Sequence, residues 1–164
     1  ALKTMENTRE LIFSKNMTND NPAMELAKYT NQIPIIYYPF GLESAAIRFK
    51  NSLQENAKIH AMAEDVIEAC HNGIVSWEKK SKVKPILIEG EDDHIKTKER
   101  WVILKGFFEM NSIEYLEIKS VKGGILSKII NLIYLLDYAS IYLALLSKTD
   151  PTPVKSIEFV KKNL

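Results

Sequence analysis

The sequence has little of several features that mark common protein classes. It contains one cysteine, Cys70, in 164 residues, which excludes an internal disulfide and fits a reducing compartment. The net charge is +1 and no basic run is longer than two residues, so there is no electrostatic footprint for nucleic acid or anionic lipid. The first residues lack the apolar core of a signal peptide. We therefore expect a cytoplasmic protein with no nucleic-acid or membrane partner.

The familiar catalytic and cofactor motifs are absent as well. The sequence contains no glycine-rich dinucleotide or P-loop fingerprint, no HExxH, no GxSxG and no CxxC. His60, His71 and His94 have no carboxylate partners at metal-binding spacing, so a zinc site is not expected. The acidic triplet at 91–93 precedes a predicted helix, and a helix cap is favoured over a metal site. Cys70 beside His71 could form a thiolate–imidazole pair, but adjacent side chains seldom face each other and an inert buried thiol is favoured.

One apolar stretch, Gly124–Leu146, is about as long as a membrane span. Lys128, Asn131, Asp137 and Ser140 interrupt it, and a charge at the middle of a spanning helix costs about 2.5–3.5 kcal/mol. A buried core helix or a subunit-interface helix is therefore favoured. Because the stretch has more apolar positions than one face of a small sheet can cover, we expect it to support a homodimer.

Hydrophobic patterning predicts strands that alternate with helices. The predicted strands are 33–38, 85–90 and 113–118, and the predicted helices are 22–30, 42–58, 61–70, 94–110, 124–148 and 154–162. In the helix at 94–110, the residues predicted to face inward are Trp101, Val102, Leu104, Phe107 and Phe108. Such an alternation indicates βαβ units. It predicts a three-layer α/β/α sandwich around a short parallel sheet, with residues 1–20 as an N-terminal arm and 21–164 as the domain.

Taken alone, Glu55 would be an exposed helix carboxylate, and His71 a turn residue that caps backbone groups. Four sequence blocks say more. They are Asn21-Pro22-Ala23 with Ile33-Pro34-Ile35-Ile36-Tyr37; Arg48-Phe49-Lys50-Asn51 with Glu55-Asn56-Ala57-Lys58; His71-Asn72 with Ile74-Val75 and Trp77; and Asp137, Ser140 and Tyr142–Leu146 with Asp150-Pro151-Thr152-Pro153-Val154. Together they resemble the C-terminal half of the bifunctional phosphoglucose/phosphomannose isomerases, members of the sugar isomerase (SIS) superfamily.

This resemblance implies a flavodoxin-like or Rossmann-like SIS fold and aldose–ketose isomerisation of hexose 6-phosphates, with neither a metal nor an organic cofactor. By position, Glu55 matches the base that moves a proton between C1 and C2. His71 matches the ring-opening histidine that the neighbouring subunit of a dimer contributes. Thr152 matches a threonine that lies against the reacting end of the sugar. The chemistry suits these residues, since one carboxylate on one face of a cis-enediol can carry the proton both ways.

The chain departs from the family pattern near both matched residues. Gln54 stands in place of Asn, Cys70 in place of Asn, Gly73 in place of Glu, and Ser76 in place of Gly. No serine- and threonine-rich phosphate loop follows a predicted strand, and the family carries such a loop on a second, N-terminal SIS domain. We therefore expect this chain to need that domain for its phosphate site. The alternative is a non-catalytic SIS module that binds sugar phosphates or supports dimerisation.

Overall fold

The computed structural model describes residues 2–16, 18 and 20–164, which form four strands and several helices. In chain order, the elements are α1 (Leu2–Ile12), α2 (Pro22–Tyr29), β1 (Ile33–Tyr38), α3 (Glu43–Ser52), a π-helix (Leu53–Ala57), β2 (Met62–Asp65), α4 (Val66–Ala69), a 3-10 helix (Gly73–Glu78), β3 (Val83–Glu89), α5 (Ile95–Met110), β4 (Leu116–Lys119), α6 (Ile125–Leu146) and α7 (Lys155–Lys162). The predicted arm at 1–20 includes residues 1, 17 and 19, which lie outside the described part of the chain.

All four strands are parallel and lie in the order β2-β1-β3-β4. From β1 the chain reaches β2 through α3, and from β3 it reaches β4 through α5, on the opposite face of the sheet. This arrangement follows from right-handed crossovers that run in two directions from the middle of the sheet. Because the direction changes between β1 and β3, a crevice is expected where these two strands end.

Two apolar cores cover the two faces of the sheet, and alternation along the strands explains the division. Ile36 and Ile86 point to a core that α1, α2, α3 and α6 complete, whereas Tyr37 and Leu87 point to a core that α4 and α5 complete. Near-continuous apolar strands are typical of parallel sheets covered on both faces. The predicted three-layer α/β/α sandwich with a short parallel sheet is confirmed.

Several local predictions differ from the structure. The segment 61–70, predicted to be one helix, forms the edge strand β2 and then the single turn α4. The strand predicted at 113–118 begins three residues further along the chain, at Leu116. In α5, Val102 is 69% exposed while Trp101, Leu104 and Phe108 are buried, because the inward face has a period of 3.6 residues.

The N-terminal segment also differs from a polar arm with one short element, because α1 is an eleven-residue helix packed on α6. Its Thr8 hydroxyl donates to the Asn131 side-chain oxygen at 2.7 Å, and its last residue, Ile12, is fully buried. Polar groups of this kind on buried surfaces are tolerated when they find partners. The first residues described are therefore an integral layer of the fold.

By length and composition α6 is long and apolar enough to cross a membrane, but the buried core helices of soluble proteins often meet the same two criteria. In this structure α1, α2 and α3 all pack on it. The polar residues that interrupt its apolar surface have partners: Lys128 pairs with Asp92, and the Asn131 amide donates to the Ser127 carbonyl. α6 is thus the core helix of one sheet face, which is one of the two roles predicted for it.

The start of α2 is confirmed in detail and supplies the first testable prediction. The Asn21 side-chain oxygen accepts from the backbone N–H groups of Ala23 and Met24, and its amide donates to the carbonyl oxygens of Asn16 and Ile12. Asn21→Ala removes this cap and strands buried backbone groups, so the free energy of unfolding should fall by about 2 kcal/mol. Urea denaturation measures this. Asn163→Ala is the matched control, since that amide caps an exposed helix end, and an equal loss in both variants would contradict the prediction.

Candidate active site

Glu55 lies on the π-helix that continues α3, and its side chain is exposed. π-turns inside or at the ends of α-helices are frequent at functional sites, because the wider turn redirects side chains. The segment ends at Lys58, which has a left-handed backbone conformation with φ 58°. The Lys58 ammonium donates to the Glu55 carbonyl and to the Pro151 carbonyl, at 3.4 Å in the second case. Lys58 thereby joins the Glu55 turn to the segment that carries Thr152.

A cleft of about 440 Å³ lies between these two segments. Its walls are Asn51, Gln54, Glu55 and Lys58 on one side and Pro153, Val154, Ser156 and Ile157 on the other. Thr152 is exposed beside it, between the Pro151 carbonyl held by Lys58 and the Pro153 wall. The structure therefore places Glu55 and the Thr152 segment at one cleft.

A turn closed by its own side chain fixes the backbone at Thr152. The Thr152 N–H donates to an Asp150 carboxylate oxygen at 2.9 Å, as in an Asx turn. Hydrogen bonds from Thr152 lower the pKa of Asp150, and the bond from the backbone N–H contributes more than the bond from the side chain. Pro151 and Pro153 restrict the backbone on either side. The threonine is thus presented on a stiff loop.

A second, larger cleft of about 1100 Å³ opens on the other side of Glu55, between α3 and α6. The Arg48 guanidinium pairs with the Asp137 carboxylate at 2.7 Å, and the Ser52 hydroxyl donates to the same carboxylate at 2.9 Å. The Asn56 amide donates to the Ser140 hydroxyl at 2.8 Å. These bonds fix the helix that carries Glu55 against α6.

No role was predicted from the sequence for Arg48, Asn56, Asp137 or Ser140. A signal was present, because Asp137 and Ser140 interrupt an otherwise apolar helix. Polar residues on a buried helix face need partners, and the Arg48 and Asn56 side chains are those partners. The four residues position Glu55.

His71 lies elsewhere. It follows α4 in an exposed turn, on the sheet face opposite to Glu55, and its backbone N–H donates to the Glu68 carbonyl at 3.0 Å. Its side chain forms no hydrogen bond or ion pair with any residue that the structure describes. Within one chain, Glu55 and His71 are therefore not brought together. The neighbouring Cys70 is partly buried, and this burial raises the pKa of its thiol, which disfavours a reactive thiolate.

The loops after β1 and β3 lie at the carboxyl ends of two neighbouring parallel strands, where the strand order predicts a crevice. After β1, the Leu42 N–H is turned back to the Pro39 carbonyl at 3.1 Å, and Phe40 is 93% exposed. After β3, the Asp93 carboxylate accepts from the Gly90 N–H at 2.9 Å and from the Trp101 ring N–H at 3.1 Å. A carboxylate of the chain itself thus occupies the Gly90 N–H and the Trp101 ring N–H beside the end of β3.

The helix cap predicted at 91–93 is wrong, because the N-cap of α5 is His94, whose Nδ1 accepts from the Lys96 N–H at 3.2 Å. The acidic triplet instead closes a loop and forms two ion pairs. Asp93 closes the loop, Asp92 pairs with Lys128 at 3.2 Å, and Glu91 pairs with Lys122 at 3.6 Å. Within residues 2–16, 18 and 20–164, no group of three or more histidine, cysteine, aspartate and glutamate side chains could hold a metal ion.

Comparison with known proteins adds to this geometry. The sequence model described as "Bacterial phospho-glucose isomerase C-terminal SIS domain" matches residues 19–164. The bifunctional phosphoglucose/phosphomannose isomerase of Caldicellulosiruptor bescii is 32% identical over 170 residues, which cover 100% of this chain and 50% of that protein. The protein of the same name from Aquifex aeolicus is 30% identical, over 97% of this chain and 50% of its own length. This chain therefore spans about half the length of these relatives.

Solved structures share the fold at lower identity. A glucose-6-phosphate isomerase like protein from Thermus thermophilus superposes with a TM-score of 0.73 at 19% identity, over 91% of this chain and 51% of the other. The sugar isomerase domain of an RpiR transcription factor from Sphaerobacter thermophilus superposes with a TM-score of 0.60 at 9% identity, over 99% of this chain and 94% of the other. At these identities the likeness supports the fold alone.

Proposed function

Because this chain belongs to the bacterial phospho-glucose isomerase C-terminal SIS domain family, we propose that it is the C-terminal half of a two-domain hexose 6-phosphate isomerase. The proposed reaction interconverts glucose 6-phosphate or mannose 6-phosphate with fructose 6-phosphate in the cytoplasm. The observation that carries the proposal is the cleft shared by Glu55 and the Thr152 segment, with Lys58 joining its two sides. A carboxylate beside a stiff loop with a hydroxyl is suited to hold the reacting end of a sugar.

In the proposed reaction, the Glu55 carboxylate removes the proton from C2 of the open-chain aldose, while a proton is supplied to the C1 oxygen. The product of this step is a cis-enediol. Glu55 then returns its proton to C1, and the C2 hydroxyl loses a proton to become the ketose carbonyl. Both transfers need the carboxylate within about 3 Å of one face of C1 and C2, and neither needs a change of oxidation state of the protein.

His71 has a separate proposed role, which is to open the sugar ring. A neutral imidazole accepts the proton of the anomeric hydroxyl and donates a proton to the ring oxygen, so that the ring C–O bond breaks as the carbonyl forms. Since Glu55 and His71 lie on opposite sheet faces, the proposed site takes its histidine from a second copy of this chain. The proposed assembly is therefore a homodimer.

Mixing two inactive variants tests this proposal. The complete assembly, with its N-terminal SIS domain, should convert glucose 6-phosphate to fructose 6-phosphate, and Glu55→Gln and His71→Ala should each suppress turnover. In a mixed dimer one site regains an intact Glu55 and an intact His71, so random exchange of subunits should restore about a quarter of wild-type activity. A coupled assay for fructose 6-phosphate measures it.

Two results would go against the proposal. No turnover by the wild-type assembly would exclude the isomerase, and no recovery after verified subunit exchange would exclude a site shared across the dimer. Unmixed variants, folded by circular dichroism, are the matched controls.

A non-catalytic SIS module that binds sugar phosphates or supports dimerisation is the second candidate. The observation in its favour is that the loops after β1 and β3 hold Pro39, which has no N–H, and the Asp93 carboxylate, which takes the Gly90 N–H, in place of free N–H groups that could bind an anion. Saturable binding of hexose 6-phosphate by the complete assembly, without turnover, would favour this candidate.

A further inference from the structure

The carboxylate of Glu64, on β2, lies directly against Gly73. A Cβ added to Gly73 would lie 2.6 Å from one Glu64 carboxylate oxygen and 2.9 Å from the other. The positive-φ glycines of the described chain are Gly41 and Gly123, so backbone conformation does not demand glycine at position 73. The Glu64 carboxylate fills the volume that a side chain at 73 would take, so such a side chain would displace this flexible end of Glu64.

No structural partner among the described residues explains why the Glu64 carboxylate is partly buried. It lies near the carboxyl end of β2, is partly buried, and its side chain forms no hydrogen bond or ion pair with the residues described. Burial first, and then the nearby Glu68 and Asp65 carboxylates, raise its pKa. Asp65, by contrast, has a structural task, since its carboxylate accepts from the Ile67 N–H at 2.7 Å. An unpaired, partly buried acid costs stability, and such groups concentrate at functional sites.

The Glu64 carboxylate lies against the turn that carries His71 and Gly73. Gly73, against which the Glu64 carboxylate lies, follows His71 by two residues, so the Cα atoms of Gly73 and His71 are at most about 7.6 Å apart, two Cα steps of 3.8 Å. The His71 imidazole is exposed and bound to none of the described residues, so no contact in the structure fixes its rotamer. A carboxylate that accepts from one ring N–H fixes the tautomer and the orientation of an imidazole.

We propose that Glu64 is the positioning residue for His71. Its carboxylate accepts a hydrogen bond from one ring nitrogen of His71 and leaves the other nitrogen to exchange the proton during ring opening. This inference rests on the proposed function. It also accounts for Gly73, where the family pattern has Glu. In this chain Glu64 on β2 supplies the carboxylate that the glutamate at position 73 would supply in the family.

A carboxylate transplant tests the inference in the complete assembly. Glu64→Gln should lower kcat/KM for glucose 6-phosphate by about 10- to 100-fold, the loss seen when carboxylates that orient metal-bound histidines are removed. The double variant Glu64→Ala/Gly73→Glu, which returns the carboxylate from position 73, should recover activity to within a few-fold. Glu68→Gln, which neutralises the exposed acid on α4, is the matched control and should be unchanged.

Two further measurements separate positioning from a structural role. The exchange between α- and β-anomers of glucose 6-phosphate, followed by NMR, reports ring opening directly and should slow in Glu64→Gln as turnover does. The melting temperature of Glu64→Gln at neutral pH should rise, because burial and the nearby Glu68 and Asp65 carboxylates disfavour the charge that this change removes. Since folding raises the Glu64 pKa, the wild-type penalty is present above that pKa and vanishes in acid, so this gain should disappear at low pH.

The outcomes distinguish the inference from the proposed function. A wild-type assembly without turnover would overturn both. An active wild type with unchanged Glu64→Gln turnover and anomer exchange would overturn the inference alone. So would a double variant that folds as well as wild type and recovers no more activity than Glu64→Ala, because the position of the carboxylate beside His71 would then be irrelevant.

Discussion

Replacing Glu55 by Gln in the complete assembly should lower isomerase turnover by about 10²- to 10⁴-fold, the contribution typical of a general base. The change keeps the shape of the side chain and deletes only its ability to carry a proton. Folding should be unaffected, because Glu55 is exposed and its side chain is absent from the bonds that join α3 to α6. Those bonds involve Arg48, Ser52 and Asn56 instead.

Exchange of the substrate C2 proton with solvent deuterium, followed by NMR, is the sharpest measurement. It should cease in Glu55→Gln even where slow turnover persists, because proton removal at C2 is the step that Glu55 performs in the proposed mechanism. Glu25→Gln, an exposed carboxylate on α2, is the matched control and should behave as wild type. Turnover near wild type in a folded Glu55→Gln variant would remove Glu55 from this role.

The second large effect concerns the phosphate group of the substrate. This 164-residue chain should bind glucose 6-phosphate or fructose 6-phosphate with a Kd of about 1 mM or weaker, which corresponds to about 4 kcal/mol. A phosphate dianion is held tightly by several convergent N–H and hydroxyl donors at a helix N-terminus. Here Pro39 has no N–H, the Leu42 N–H is directed to the Pro39 carbonyl, and Asp93 takes the Gly90 and Trp101 donors.

Joining the N-terminal SIS domain should tighten binding by orders of magnitude, because that domain supplies the phosphate loop in the proposed assembly. Titration calorimetry on the 164-residue chain and on the complete assembly makes the comparison directly. Inorganic phosphate, titrated into both, is the control for the phosphate contribution alone. A micromolar constant for the 164-residue chain would contradict the prediction and indicate a phosphate site within it.

The layers of the fold could be predicted from sequence because strong local signals agreed with them. The continuous apolar runs at β1 and β3 predicted strands covered on both faces, and Asn21 followed by Pro22 predicted the start of α2. β2 was missed because it has four residues and lies at the sheet edge, where pairing with β1 rather than local propensity decides its conformation. Val102 was wrongly predicted to face inward because it is apolar and follows the buried Trp101, although successive helix residues point in different directions.

The candidate site was less accessible from sequence, for a geometrical reason. Resemblance assigned Glu55, His71 and Thr152, and their roles stay predictions. The positions of Arg48 and Asp137, 89 residues apart, become adjacent only when α3 packs on α6. The Glu64 carboxylate against Gly73 depends on how β2 ends relative to a turn, which no local pattern encodes.

The position of α6 also has a consequence for the time course of synthesis. Three earlier helices, α1, α2 and α3, share this one late partner, and Tyr142 donates to the Ile12 carbonyl across 130 residues. At about 5–20 residues per second, the ribosome needs on the order of ten seconds to pass from the end of α3 to the end of α6. During that interval the emerging chain presents apolar helix faces that have nothing to cover them, so one side of the sheet is exposed to chaperones and to aggregation until translation reaches its last long helix.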